Sequence, residues 1–304
     1  MGGRPPIVVA GAHRCGTTLL VELLGELGVF FGASVDPNLE SYFFLRLNEW
    51  VLRRAGGAWD WPLPARSFLA NERFAADALA VLAAEIGSHG FVGFTGRLGY
   101  LRTLGSRTDR RPWGWKDPRN VFTFGLWQRL FPGARLLYIQ RNGVDAAHSL
   151  QTRESARWKD GATLHDYPSF RPLRRRLGEG CRLYDRLEGY LFSTRCLTLE
   201  ESFRLWEEYS AQGVELLASY AGPKLCVRYE DLIADPTAQL EAVTRFCGLD
   251  PTPADMARAA AGVRRGRAFA FLRDEHLGRF YREVRHTPWM QRLGYGEIAA
   301  GESS

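Results

Sequence analysis

Gly11-Ala12-His13-Arg14-Cys15-Gly16-Thr17-Thr18 sets two glycines five positions apart, with a basic residue between them and two hydroxyls after them. G-x-x-x-x-G between a strand and a helix is the spacing of a loop whose backbone amides converge on a phosphate. The dipole and free N–H groups of the following helix add to that attraction. The lysine that bridges terminal phosphates in ATP and GTP hydrolases is missing, because Thr17 stands in its place and the basic residue has moved back to Arg14. The loop is therefore suited to a single phosphate without a required metal, and a standard nucleotide hydrolase is disfavoured. His13, an isolated loop histidine, reads as a neutral structural donor rather than a catalyst.

A second anion site is suggested further along. Ala134 to Gln140 ends in Arg141, where a magnesium-dependent enzyme would carry an acid, and Ser149 follows eight residues later. With a helix opening at Gly143, Ser149 and Arg141 can share an anion if the loop folds back over that helix. Two separate clamps imply a nucleotide phosphorylated at two positions. Only Lys116, Lys159 and Lys224 are lysines, which gives weight to Lys116-Asp117-Pro118; its other reading is a surface ion pair with Asp117.

These residues need elements to position them. Ile7-Val8-Val9-Ala10 reads as a buried strand, and the leucines from Leu19 to Leu27 recur at helical spacing until Gly28. Residues 39 to 54 and 71 to 87 are helical in pattern, with a loop at Ala58 to Pro64. A strand ends at Lys116, Pro118 suits a first helical turn, and that helix closes at Phe131-Pro132-Gly133. Strands over Ala134 to Gln140 and Lys224 to Tyr229 precede helices at Gly143 to Leu150 and Pro236 to Leu249. The expected fold is α/β: a three-layer α-β-α arrangement with a central parallel sheet, of the P-loop nucleotide type, with helical insertions and ligand at the strand carboxyl ends. Residues 1–304 form a single domain in this reading, with 151–198 a helical insertion or lid and 264–304 a basic C-terminal segment and tail.

The motifs together resemble the sulfotransferases that use 3′-phosphoadenosine-5′-phosphosulfate (PAPS), especially the bacterial and tyrosyl-protein branches. The family's basic-x-G-T-T loop matches Arg14-Cys15-Gly16-Thr17-Thr18, and its arginine with a serine eight residues on matches Arg141 and Ser149. Lys116-Asp117-Pro118 and Val227-Arg228-Tyr229-Glu230-Asp231-Leu232 with Asp235-Pro236 follow in family order. The family's usual proline before the loop's basic residue is replaced, and the catalytic histidine of the classical cytosolic branch has no counterpart. The resemblance implies a PAPS donor, adenosine 3′,5′-bisphosphate (PAP) as product, and no metal. Arg14, Cys15, Gly16, Thr17 and Thr18 would hold the 5′-phosphosulfate; Arg141, Ser149 and the Arg265-Gly266-Arg267 cluster would hold the 3′-phosphate. Lys116 and Arg14 would stabilise developing charge. Glu40 is the expected base, with Glu49 and His148 in reserve; its other reading is an exposed acid at a helix start.

The 304 residues, 45% of them apolar, can build a sizeable core. A net charge of +6 is scattered along the chain, which indicates an anionic small ligand and no nucleic acid. Five cysteines without a CxxC pair read as reduced thiols, and no targeting or transmembrane segment is visible, so the expected location is cytoplasmic. The acceptor expected is a small metabolite or lipid-like alcohol, and a homo-oligomer stays open. The competing readings are an ATP-dependent small-molecule kinase and a non-catalytic nucleotide-binding protein.

Overall fold

Strands β1 (Ile7–Ala10), β2 (Gly114–Lys116), β3 (Arg135–Gln140) and β4 (Lys224–Arg228) pair in the order β2-β1-β3-β4, all parallel, in a computed structural model that describes residues 4–96, 111–159, 193–264 and 266–298. A parallel sheet is covered on both faces, which is why its strands are runs of apolar residues rather than alternating ones. The alternation survives in where the side chains go. Val8, Ala10, Leu136 and Tyr138 join one core, while Ile7, Val9, Leu137, Ile139 and Val227 join the other.

The second core is closed by α1 (Thr17–Glu26) and by two helices after β4, α8 (Tyr229–Ala234) and α9 (Pro236–Cys247). The first and larger core packs under α2 (Tyr42–Arg54), α4 (Glu72–Gly87), α5 (Asn120–Leu130), α6 (Gly143–Lys159) and α7 (Leu199–Ser219). That is the three-layer fold expected from the sequence. Among the described residues no single helix is long and apolar enough to cross a membrane.

Several boundaries shift for local reasons. The stretch read as a loop gives way at Leu63 to a short helix, α3 (Leu63–Leu69), because Pro62 and Pro64 fall where a first turn tolerates proline. α2 begins only at Tyr42, since Asp36 folds the preceding residues into a turn. Pro118 lies in a turn two residues ahead of α5. The helix read to Leu150 runs on to Lys159, through the first part of the 151–198 segment, whose residues 160–192 lie outside the described residues, as do Arg265 and residues 299–304.

One buried polar lattice ties the layers together beneath the sheet's carboxyl edge. Asn48, on α2 and fully buried, donates to Asp117 Oδ2 and Asn120 Oδ1, both at 2.9 Å. Its carbonyl accepts from Thr123 Oγ1 at 2.7 Å and Trp127 Nε1 at 2.8 Å, so all four of its hydrogen-bonding positions are used. Asn120 in turn donates to the Val9 carbonyl in β1 at 3.0 Å and accepts from Trp115 Nε1 at 3.1 Å. Replacing Asn48 with leucine removes the hydrogen-bond partner of Asp117 Oδ2 and of Trp127 Nε1, and each unsatisfied buried group costs about 1–3 kcal/mol. We expect Asn48→Leu to lower the urea midpoint by an amount equivalent to about 3 kcal/mol or more; an unchanged midpoint would show that the lattice contributes nothing to stability.

Candidate functional site

A cleft opens at the carboxyl ends of the strands, and every strand delivers a residue to it: the loop after β1, Lys116 at the end of β2, Arg141 after β3 and Tyr229 after β4. The connection after β1 leads to one side of it and β3 lies on the other, so the cleft occupies the switch point where open α/β sheets place ligands.

The loop after β1 has the backbone an anion requires. Gly16 adopts a left-handed φ of 95°, and a side chain there would run into the Tyr229 ring, so glycine is required on both counts. It caps α1 without any side-chain bond. The first intrahelical bond runs from Leu20 N to the Gly16 carbonyl, which leaves the N–H groups of Gly16, Thr17, Thr18 and Leu19 without a protein acceptor among the described residues. Cys15 departs from expectation: its amide is committed to the Ala12 carbonyl at 3.2 Å, and its buried thiol is pushed up to about 12 by burial. It packs behind the loop and does not line the cleft.

Arg14 crosses this loop with a left-handed φ of 66°, and its Nε donates to Ser149 Oγ at 3.0 Å. Burial first, then the charges of Arg153, Arg141, Arg157 and Arg267, lower its guanidinium to about 10. Arg141 lies under it, donating to the Arg14 carbonyl and to the Arg267 carbonyl, each at 3.1 Å, over the Tyr229 ring at 4.4 Å. Asp145 accepts from Ala270 N at 3.1 Å and Phe271 N at 2.9 Å, and so draws the C-terminal segment back to the cleft. Arg267 lines the cleft; Gly266 does not, its carbonyl accepting from Arg273 at 2.7 Å.

Glu40 is 6% exposed, which excludes the reading of it as a solvated helix-start acid. Asp36 holds the turn that presents it, with Oδ1 accepting from Asn38 N at 2.9 Å and Glu40 N at 2.7 Å. Lys116 Nζ lies 3.1 Å from Glu40 Oε1 and 3.4 Å from Thr18 Oγ1; Arg119 Nη1 lies 3.3 Å from Glu40 Oε2. Lys116 therefore pairs with Glu40 and not with Asp117, which is taken by Arg119 at 2.7 Å and by Asn48. Burial by itself would raise the Glu40 carboxyl, but the Lys116 and Arg119 charges and the Lys116 hydrogen bond outweigh it and hold it below the usual range.

His13 completes the opposite wall. The Tyr209 hydroxyl spends its proton on the Trp59 carbonyl at 2.8 Å, so at 3.2 Å it accepts from His13 Nε2–H, which leaves Nδ1 as an acceptor. Burial, then the charges of Arg153, Arg119, Lys116 and Arg14, keep the ring neutral. The reserve bases lie elsewhere: Glu49 pairs with Arg53 at 3.0 Å, His148 is exposed, and neither lines the cleft. Sequence reasoning missed Arg119, Asp36 and Arg153. The charged run Lys116 to Arg119 carried a signal for the first; nothing in the sequence marks the other two.

A parallel sheet between helical layers, with a loop of free amides at its switch point and a crowd of cations around it, has the features that favour an anionic ligand. The chain belongs to the sulfotransferase family, whose model matches residues 5–253. It is similar to the sulfotransferase domain from the curacin biosynthetic pathway, at 15% identity and TM-score 0.49 over 97% of this chain and 99% of that one. A sulfotransferase from Alicyclobacillus acidocaldarius is 15% identical, with TM-score 0.48 over 99% of each chain. The sulfotransferase domain from the Synechococcus PCC 7002 olefin synthase is 17% identical, with TM-score 0.46 over 98% of this chain and 96% of that one. Among curated protein sequences none matches significantly.

The Glu40 cluster fixes a sign for acid stability. The Glu40 carboxyl is held below its ordinary value, so its stabilisation is complete above the unfolded value of about 4.3 and is lost as pH falls through the folded one. Glu40→Gln leaves two buried cations short of a partner, a loss of about 3–5 kcal/mol at pH 7. The melting-temperature deficit of the variant should shrink as both proteins are acidified below about pH 4; a constant deficit would show that the carboxylate charge is not what stabilises.

Proposed function

We propose that this protein transfers a sulfuryl group from PAPS to a hydroxyl or amine of a small or lipid-like acceptor by in-line displacement. The observation that supports the reading is the gathering of Arg14, Arg141, Ser149 and Arg267 in one cleft with the loop after β1, where Lys116 bridges Glu40 and Thr18. The uncapped amides of Gly16 to Leu19, with the Thr17 and Thr18 hydroxyls, suit the 5′-phosphate of the donor. Arg141, Ser149 and Arg267 suit its 3′-phosphate, a monoester carrying up to two charges. The cleft is lined by Arg14, Lys116, Arg141, Arg153 and Arg267 against the one carboxylate of Glu40, a balance that favours a polyanion.

The chemistry follows from these positions. The acceptor oxygen forms its bond to sulfur while the bond from sulfur to the bridging phosphate oxygen breaks, and the electron pair leaves with PAP. Glu40, ionised at neutral pH, takes the acceptor proton. Lys116 and Arg14 oppose the charge that builds on the leaving oxygen. Lys116 is shared between Glu40 and Thr18, so the same ammonium can follow charge from the base to the loop.

Calorimetric titration with PAP, and in parallel with ATP and magnesium, tests the donor. Metal-independent binding of PAP alone is expected; binding of ATP with magnesium only would overturn the reading in favour of a kinase. Arg141→Ala should weaken PAP at least about tenfold, and an unchanged affinity would remove Arg141 from the 3′-phosphate site. With an acceptor found by screening alcohols and amines, Lys116→Ala and Glu40→Gln should each lower turnover by about two orders of magnitude with PAP affinity changed far less. Wild-type turnover in either variant would exclude that residue from the mechanism.

A further inference from the structure

One cation of the cleft, Arg153, keeps both Nη groups without a hydrogen-bond partner among the described residues. PAPS brings about four negative charges, two on the phosphosulfate and up to two on the 3′-phosphate. Arg14, Lys116, Arg141 and Arg267 answer them on the side of the phosphate loop and Tyr229. Arg153 is held differently. It is one turn beyond Ser149 on α6, on the same helix face, and its guanidinium lies over the Trp59 ring at 5.2 Å. Trp59 in turn meets His13 edge-on at 4.8 Å, so Arg153 belongs to the Trp59–His13 wall of the cleft.

The side chain is held from behind and open in front. Its Nε donates to Glu154 Oε1 at 2.6 Å, and Glu154 is fully buried with its other oxygen taken by Ser193 N at 2.6 Å. The two Nη groups of Arg153 have no hydrogen-bond partner among the described residues, although the side chain is only 18% exposed. Stacking on an indole and anchoring by a buried carboxylate fix the plane of the guanidinium, so its outer fork is presented at little entropic cost. Such a fork matches a carboxylate or phosphate in bidentate fashion.

Resting on the sulfotransferase reading, we propose that Arg153 is the acceptor-side specificity residue and that the acceptor is a hydroxyl or amine compound bearing its own anionic group, a carboxylate or a phosphate. Buried Trp59 backs the Arg153 guanidinium, and neutral His13 leaves the positive charge on that side of the cleft to Arg153. The acceptor's anion is thereby held on the wall away from Arg141 while its nucleophile faces the sulfur.

The test is a titration of three probes of one shape, 4-hydroxyphenylacetate, 4-hydroxybenzylphosphonate and the neutral 4-hydroxyphenylacetamide, into the full chain with and without saturating PAP. At least one acid should bind about tenfold or more tightly than the amide. The stronger of the two acids identifies carboxylate or phosphate as the group selected. In Arg153→Gln and in Arg153→Met the preference should fall to within about twofold, with PAP affinity within about threefold of wild type as the measure of an intact donor site. Equal binding of acids and amide, no binding of any probe at 10 mM, or a preference that survives in both variants would overturn the proposal. Loss of PAP binding in the wild type would strike the donor reading instead, and the titration without PAP would still report on Arg153.

Discussion

The Glu40 carboxylate is the interaction on which the site depends. It is buried between Lys116 and Arg119, and both cations are themselves nearly inaccessible to water. Charges removed from water at this density are tolerated only when every one is paired and hydrogen-bonded. The surrounding structure pairs each of these charges: Asp36 fixes the turn that delivers Glu40, Asp117 shares Arg119 Nη1 with Glu40, and Asn48 holds Asp117 from α2. The lattice reaches the sheet itself through Asn120 and the Val9 carbonyl. The proposed base is thus positioned by contacts running back through the core.

The parallel sheet explains why so many cations meet in one place. Its strands point their carboxyl ends the same way, and each following loop is free of the core's packing demands. The cost appears locally. Arg14, Leu39 and Phe269 are the described non-glycine residues with positive φ, and they fall in the phosphate loop, immediately before Glu40, and two residues after Arg267. Strained backbone around one cleft fits a site whose geometry is fixed before ligand arrives. The lowered pKa of Arg14 reports the same condition electrically, as burial and four neighbouring positive charges oppose its own. A polyanion relieves this repulsion, which is why the cleft suits a doubly phosphorylated nucleotide.

The cleft is divided in its chemistry. The loop after β1, Arg141 and Arg267 line the part with Tyr229, while His13 and Arg153 line the cleft backed by buried Trp59. Lys116 and Glu40 lie between. The proposed reading gives donor and acceptor different parts of the cleft, and membership of the sulfotransferase family gives the transfer that would connect them.

Much of this was legible in the sequence. G-x-x-x-x-G after a β-branched run located the anion loop, the strand end before Gly143 located Arg141, and the scarcity of lysine singled out Lys116, because backbone conformation and helix starts are local properties. The four strands and the three-layer class also followed from local runs of apolar residues; their order in the sheet did not. Tertiary structure decided what each charge was for. Whether Glu40 was solvated or buried, whether Lys116 paired with Asp117 or with Glu40, and whether the Cys15 amide faced the ligand or the loop's own turn depended on neighbours tens of residues away. Arg119, Asp36 and Arg153 resemble any exposed charge in one dimension. Only the fold, by removing water from some charges and bringing distant partners to others, gives them distinct roles.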